Sequence, residues 1–341
     1  MITSLPILIL DVYGRCNCRC LMCDIWKRTV APFLRPSDFV RQLPAIERLG
    51  VQWVVLTGGE PLMHPALPEL CAPLKDRGIR ITLLTTGLLL DRFAEQVCRD
   101  IDDVIVSLDG PPEVHNRIRG IAHAFERLSN GIRALQGGRA VSARSTVQRS
   151  NFAYLSATVK AARALGCRSI SFLAADTHST AFNHQPAQEP GTLHRISLTP
   201  AELDGLAEQI ERLIQTGECG NFIAESPEKL RRIVAQMRGS AGFGDPVAPA
   251  CNAPWVSAVI DAGGAVRPCF FHPPIGTIAC GTPLDQVLNA PDAIAFRGGL
   301  NIAEDPICRR CVCSLNWKRT ASFMLRKQQT ALRKPQAHGL R

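Results

Sequence analysis

Long apolar runs are missing from this chain: no stretch of its 341 residues approaches the ~18–20 apolar residues that cross a bilayer. No membrane partner is therefore expected. Residues 1–12 have no basic n-region and no small-residue cleavage site, so the start does not read as a secretory leader. A reducing, cytoplasmic setting is expected. Acidic residues are in deficit, 30 against 39 Lys and Arg, which leaves a net charge of +9. That balance favours acidic partners or substrates. No RNA- or DNA-binding motif accompanies it, so nucleic acid is not the expected partner. Aromatics are scarce at 6%. Apolar content of 46% is still ample for a core, and charged content of 20% does not suggest disorder. The length suits one large domain, or one with a smaller companion.

Cysteine, by contrast, is abundant, with 14 residues. In a reducing compartment such clustered thiols read as metal ligands rather than disulfides. Cys16, Cys20 and Cys23 fall in the spacing C-x3-C-x2-C. Thiolates are soft ligands that suit zinc or iron–sulfur clusters. Three on one loop can hold three corners of a [4Fe–4S] cube and leave the fourth iron open to a substrate or cofactor. A zinc site is the alternative on the loop alone, although structural zinc prefers paired C-x2–4-C knuckles. Cys18 is extra and is not assigned. Near the other end, Cys251, Cys269, Cys308 and Cys311 could close a complete second [4Fe–4S] site, or hold zinc. Cys313 either replaces Cys311 or stays free.

Periodicity predicts an α/β fold. Apolar strands are expected at 6–13, 51–57, 79–85, 103–108, 140–147 and 168–173. Helices are expected between them at 37–49, 66–77, 91–99, 122–135 and 154–165, several closed by glycine. Such alternation argues for right-handed parallel crossovers, with ligands at the C-terminal strand ends. Residues 176–197, rich in Pro, His and Asn, read as a lid or substrate loop. Helices follow at 199–215 and 226–237. A Gly/Pro-rich stretch at 239–250 then precedes a hairpin at 255–269 that turns on Gly263–Gly264.

The strand ends carry the chemistry. Gly58, Gly59, Glu60 and Pro61 end the second strand. The glycines let the backbone approach a ligand, and Glu60 can accept from an ammonium group. Ser107 and Asp109 end the fourth strand, and Arg144 alternates with Ala143 and Ser145 on the fifth. With C-x3-C-x2-C after the first strand, this set resembles the radical S-adenosylmethionine (radical SAM) superfamily, over about residues 6–320.

The resemblance implies a partial (β/α)6 barrel whose open iron chelates SAM, and whose cluster electron yields a 5′-deoxyadenosyl radical. Residues 58–61 would face the SAM amino group. Met22 stands where many members carry an aromatic residue near the adenine. Ser107 and Asp109 would reach the ribose or the SAM carboxylate, and Arg144 that carboxylate. The pattern C-x(n)-G-x4-C followed by C-x2-C resembles the SPASM/twitch subgroup, in the shorter form with one auxiliary [4Fe–4S] cluster. The expected division is 1–238 for the barrel, 239–320 for the auxiliary-cluster domain and 321–341 for a basic tail.

By this likeness the chain is an enzyme abstracting hydrogen from a small polar substrate, with flavodoxin or ferredoxin as reducing partner. No peptide-recognition domain fits before residue 6. A peptide or protein maturase is one alternative, and a non-enzymatic iron–sulfur or zinc electron carrier is another. For an epimerisation, Cys167, Cys219, Cys280 and Cys313 are candidate hydrogen donors.

Overall fold

In the computed structural model, which describes residues 1–184 and 194–318, the apolar run after Pro6 forms β1 (Ile7–Tyr13). It is followed by β2 (Trp53–Gly58), β3 (Arg80–Thr85), β4 (Asp103–Ser107), β5 (Val141–Val147) and β6 (Ile170–Ala174). All five junctions between these neighbours are parallel. Parallel neighbours need crossovers, and the intervening helices supply them. The strand order runs β6-β5-β4-β3-β2-β1 and does not close on itself, so the expected partial barrel is an open one.

The two faces differ as the strand period of two requires. Val54 and Leu56, Ile81 and Leu83, and Val104 and Val106 are fully buried in one core with Leu70 and Leu74 of the helix Leu67–Asp76. The alternate residues, among them Thr57, Leu84, Ile105, Ser107 and Arg144, line a cavity on the concave side.

Three features differ from the sequence expectation. The helix expected over 37–49 is two short ones, Pro36–Val40 and Leu43–Arg48. Pro44 has no N–H for a continuous ladder and its ring would clash one turn back. A helix at Pro112–Arg119, not anticipated, ends on Gly120 at φ 64°. Most consequential, the expected hairpin forms, with Val259 opposite Arg267, but β7 (Ser257–Ile260) is also a strand of the main sheet. It pairs in parallel with β1, from Ile7 opposite Ser257 to Leu10 opposite Ile260. β8 (Ala265–Arg267) and β9 (Gly276–Thr277) then continue the same sheet in antiparallel fashion. All four residues of β7 are buried, which is what a strand covered on both faces requires.

The basic tail expected at 321–341 lies outside the described residues, as does part of the expected loop at 176–197. No helix among the described residues is long and apolar enough to cross a membrane.

Candidate active site

β1 delivers the chain into the loop of Cys16, Cys20 and Cys23, and this loop is held by neighbours on both sides. The Gly59 N–H donates to Tyr13 O at 2.7 Å and the Glu60 N–H to Arg15 O at 2.8 Å. A Cβ on Gly59 would sit 1.9 Å from Arg15 O, so only glycine permits this approach. Gly58 has φ +136°, and a Cβ there would meet Tyr13 O at 2.7 Å. On the other side, the N–H groups of Arg19 and Leu21 donate to Arg119 O and Ile118 O at 2.9 and 3.0 Å. The unanticipated helix Pro112–Arg119 is therefore the platform for the cysteine loop. Its signals were in the sequence: Pro112 at the first helical position and Gly120 just past the end.

The cavity at the strand ends is walled by Cys16, Cys20, Cys23 and Met22 on one side and by Val312 on another. Gly58, Gly59, Ser107, Thr146 and Arg144 line it too. Arg144 places Nε 3.3 Å from Ser171 Oγ, while its neighbours Ala143 and Ser145 are buried on the opposite face. Cys18 is 1% exposed among the other thiols, and its hydrogen bonds with Cys16 and Cys20 push its thiol far up. Cys20 is held down at about 7, chiefly by the bond from Cys18, with help from Arg119 against burial.

Three expected cofactor contacts, Glu60, Pro61 and Asp109, do not face the cavity. Asp109 is fully buried, with Oδ1 accepting from Thr146 N at 2.8 Å and Oδ2 at 2.6 Å from Arg119 Nη2. It is committed to Arg119 and is not turned toward a ribose. Arg119, the last residue of the helix Pro112–Arg119, places Nη1 3.6 Å from Cys20 Sγ. His115 accepts from the Asp109 N–H at 3.2 Å through Nδ1, and burial pulls its imidazole down to about 3.

Glu60 is also fully buried, behind the cavity wall with Pro61. Its carboxylate accepts from Leu62 N, Thr85 Oγ1, Thr86 N and Thr86 Oγ1 at 2.7–3.0 Å. Burial pushes this carboxyl up, and the donors from Thr86, Leu62 and Thr85 pull against it. Thr86 Oγ1 also lies 3.1 Å from Asn17 Oδ1, which ties the turn to the cysteine loop. Glu60→Gln would set an amide NH2 against the two or three donors that meet one carboxylate oxygen and is expected to cost about 1–3 kcal/mol. Thermal unfolding reads this directly: an unchanged Tm would show that the carboxylate does not hold the turn.

The second cysteine set also gathers. Cys251 precedes the short helix Ala253–Val256, Cys269 follows β8, and Cys308 lies in the helix Pro306–Arg309. Asn252 staples the ends together, donating from Nδ2 to Trp317 O at 2.8 Å and from N to Leu315 O at 2.7 Å. Burial pushes the Cys308 thiol up to about 12, with Asp305, Cys269 and Cys251 adding to it. Burial likewise raises Cys311, to which Cys313, Cys269 and Cys251 contribute. Burial raises the Cys269 thiol too, and the nearby backbone of Phe271 and His272 pulls against it. Cys313 is exposed, and its carbonyl accepts from Cys311 Sγ at 3.3 Å. Of the four candidate hydrogen donors none lines the cavity, but Cys313 is adjacent to Val312, which does.

Between the two sets runs the segment at 177–184. Phe182 O accepts from Asp24 N at 3.0 Å, and His184 Nε2 donates to Met22 O at 3.0 Å. The Phe182 ring lies 5.6 Å from Phe270, one residue after Cys269. The described part of the expected substrate loop thus touches both cysteine regions.

Comparison with known proteins agrees with this geometry. Residues 10–145 match the radical SAM superfamily and residues 251–312 match the SPASM family, an iron–sulfur cluster-binding domain. The chain is 28% identical over 151 residues to Fe-coproporphyrin III synthase of Methanosarcina barkeri, covering 43% of this chain and 38% of that protein. It is 29% identical over 171 residues to AdoMet-dependent heme synthase of the same organism, covering 48% and 49%. The matches thus span half or less of these curated relatives. In fold, SuiB of Streptococcus suis, solved with S-adenosylmethionine and also with its precursor peptide SuiA, superposes with TM-scores of 0.64 and 0.63. Its identity is 15% and 14%, over 92% of this chain and 73% and 72% of SuiB. The two family matches imply SAM, its [4Fe–4S] cluster and an auxiliary iron–sulfur cluster as the cofactors. The chain belongs to the radical SAM superfamily, in its SPASM/twitch subgroup.

Proposed function

We propose that this enzyme takes a hydrogen atom from a small polar substrate seated in the cavity at the strand ends. The observation that carries the reading is that one cavity is walled by Cys16, Cys20 and Cys23 and also by Val312, the residue between Cys311 and Cys313. The space where a substrate would sit therefore reaches from the first thiol set to the residue next to Cys311 of the second.

The residues present fit a cluster at the first set. Three thiols share one loop, the Arg119 guanidinium lies 3.6 Å from the Cys20 sulfur, and Gly59 leaves no side chain in the way. Cys16, Cys20 and Cys23 would hold the SAM-binding cluster, and Cys251, Cys269, Cys308 and Cys311 the auxiliary one. When bound, the first cluster supplies the electron that splits SAM and so the radical that abstracts hydrogen. The chain itself binds and orients. Gly58 and Gly59 present backbone to the cofactor, Met22 packs beside it, and Ser107 and Arg144 offer a hydroxyl and a cation for its ribose and carboxylate. Glu60 and Asp109 act one layer back, by holding Thr85–Thr86 and Arg119 in place. Residues 1–238 form the barrel unit and 239–320 the auxiliary unit, laid on the first through the β7–β1 pairing. An external reductant such as flavodoxin or ferredoxin would supply electrons.

A small substrate is favoured over a peptide by sequence likeness. The relatives at 28–29% identity are named as synthases of Fe-coproporphyrin III and heme, whereas peptide-bound SuiB is alike at 14%. Anaerobically reconstituted protein with SAM and dithionite should form 5′-deoxyadenosine, and the dialysable fraction of a cell extract should stimulate it. Stimulation only by a peptide fraction would replace this reading with a peptide maturase. No 5′-deoxyadenosine at all would leave an electron carrier.

A further inference from the structure

Among the described residues, one group has its ligand atoms close enough to meet at a single point: His272, Asp305 and Cys308. Only Cys308 belongs to the expected ligand set. His272 is 2% exposed, and its ring stands edge-on to Phe296 at 4.9 Å. Arg267 Nη1 donates to His272 O at 3.1 Å and fixes its backbone. So placed, Nε2 lies 3.4 Å from Cys308 Sγ and 3.7 Å from Asp305 Oδ1.

The carboxylate is already occupied. Asp305 caps the helix Pro306–Arg309, with Oδ1 accepting from Ile307 N at 3.0 Å and Cys308 N at 2.9 Å. The sulfur is therefore the nearer and freer acceptor. A cluster-bound thiolate has no proton to give, so at this contact the imidazole must donate. A buried imidazole left without a partner would be costly, which gives the contact a physical reason.

We propose that His272 is a positioning residue of the auxiliary cluster. Its Nε2–H, donated to the Cys308 sulfur, raises the potential at which that cluster takes up an electron. The proposal rests on the reading that Cys308 is a ligand there. Reduction adds one negative charge that is shared with the ligand sulfurs, and a hydrogen bond to such a sulfur stabilises it. Asp305 opposes this hydrogen bond, since its carboxylate lies within 4.8 Å of both the His272 Nε2 and the Cys308 sulfur.

The test uses full-length protein with both clusters, titrated against applied potential and followed by electron paramagnetic resonance. The auxiliary signal is the one that added SAM leaves unperturbed. His272→Leu should lower its midpoint so that the reduced-to-oxidised ratio at fixed potential falls about tenfold, about 59 mV for one electron. His272→Gln, whose amide N–H can reach the same sulfur, should recover most of that shift. An unchanged midpoint in the leucine variant, with its iron intact, overturns the proposal. Loss of auxiliary iron in both variants, with the first cluster retained, also overturns it and makes His272 a ligand. About four irons per unsubstituted chain instead of about eight would remove the auxiliary cluster itself, a separate failure that the iron assay identifies before any titration.

Discussion

Replacing Arg119 with methionine is expected to cost about 3–5 kcal/mol of stability, because it strands a buried carboxylate. Asp109 has no exposed surface, and its side chain meets Arg119 at 2.6 Å. Methionine fills much of the same volume but brings no charge, so packing alone does not explain the loss. The Cys20 sulfur would lose its cation at 3.6 Å in the same step, so the first cluster should also assemble less completely. Chemical denaturation of the apoprotein measures the first effect, and iron content after reconstitution the second. Asp109→Asn combined with Arg119→Met should recover much of the stability, since it removes both charges, but not the iron. A single-variant loss under about 1 kcal/mol would mean that water reaches the pair, as it does at surface salt bridges.

The two cysteine sets should fail in different ways. In a Cys269→Ala, Cys308→Ala variant, iron should fall from about eight to about four per chain while dithionite-driven SAM cleavage persists. Product formation should stop. Changing Cys16, Cys20 and Cys23 together to alanine should also leave about four irons, but abolish 5′-deoxyadenosine altogether. The asymmetry follows from ligand number: three thiols leave one iron open to SAM, and four do not. Cluster ligation also stabilises the fold around it. The auxiliary cysteines hang on strands continuous with the main sheet through β7 and β1, so circular dichroism must first show that sheet intact. Full turnover by the double variant would make the auxiliary cluster dispensable. One zinc per chain in its place would refute the iron assignment.

Much of the architecture was legible locally. Most of the six parallel strands hold an apolar run followed by a turn, β5 (Val141–Val147) being the exception, and the cysteines stand out by their spacing. The strand period also placed Arg144 on the cavity side, because alternation needs no tertiary information. At Pro44, in contrast, the missing N–H overrides an apolar pattern that runs on through it.

What no local pattern carries is which of two polar groups faces a ligand and which faces the protein. Glu60 and Asp109 sit in motifs that suggest cofactor contacts, yet both are fully buried. Their partners, Thr85, Thr86 and Arg119, come from other strands and helices. Burying a carboxylate demands such partners, and only the packed fold shows whether they are supplied. The same holds for β7, whose pairing with β1 joins residues about 250 positions apart. It holds too for His272 and Cys308, brought together across a turn, two helices and a loop. The amino-acid sequence thus determined the elements, the thiol sets and the strand ends where chemistry occurs. The tertiary structure decided which side chains line the cavity and which hold it in shape, because that choice depends on contacts between segments far apart in the chain.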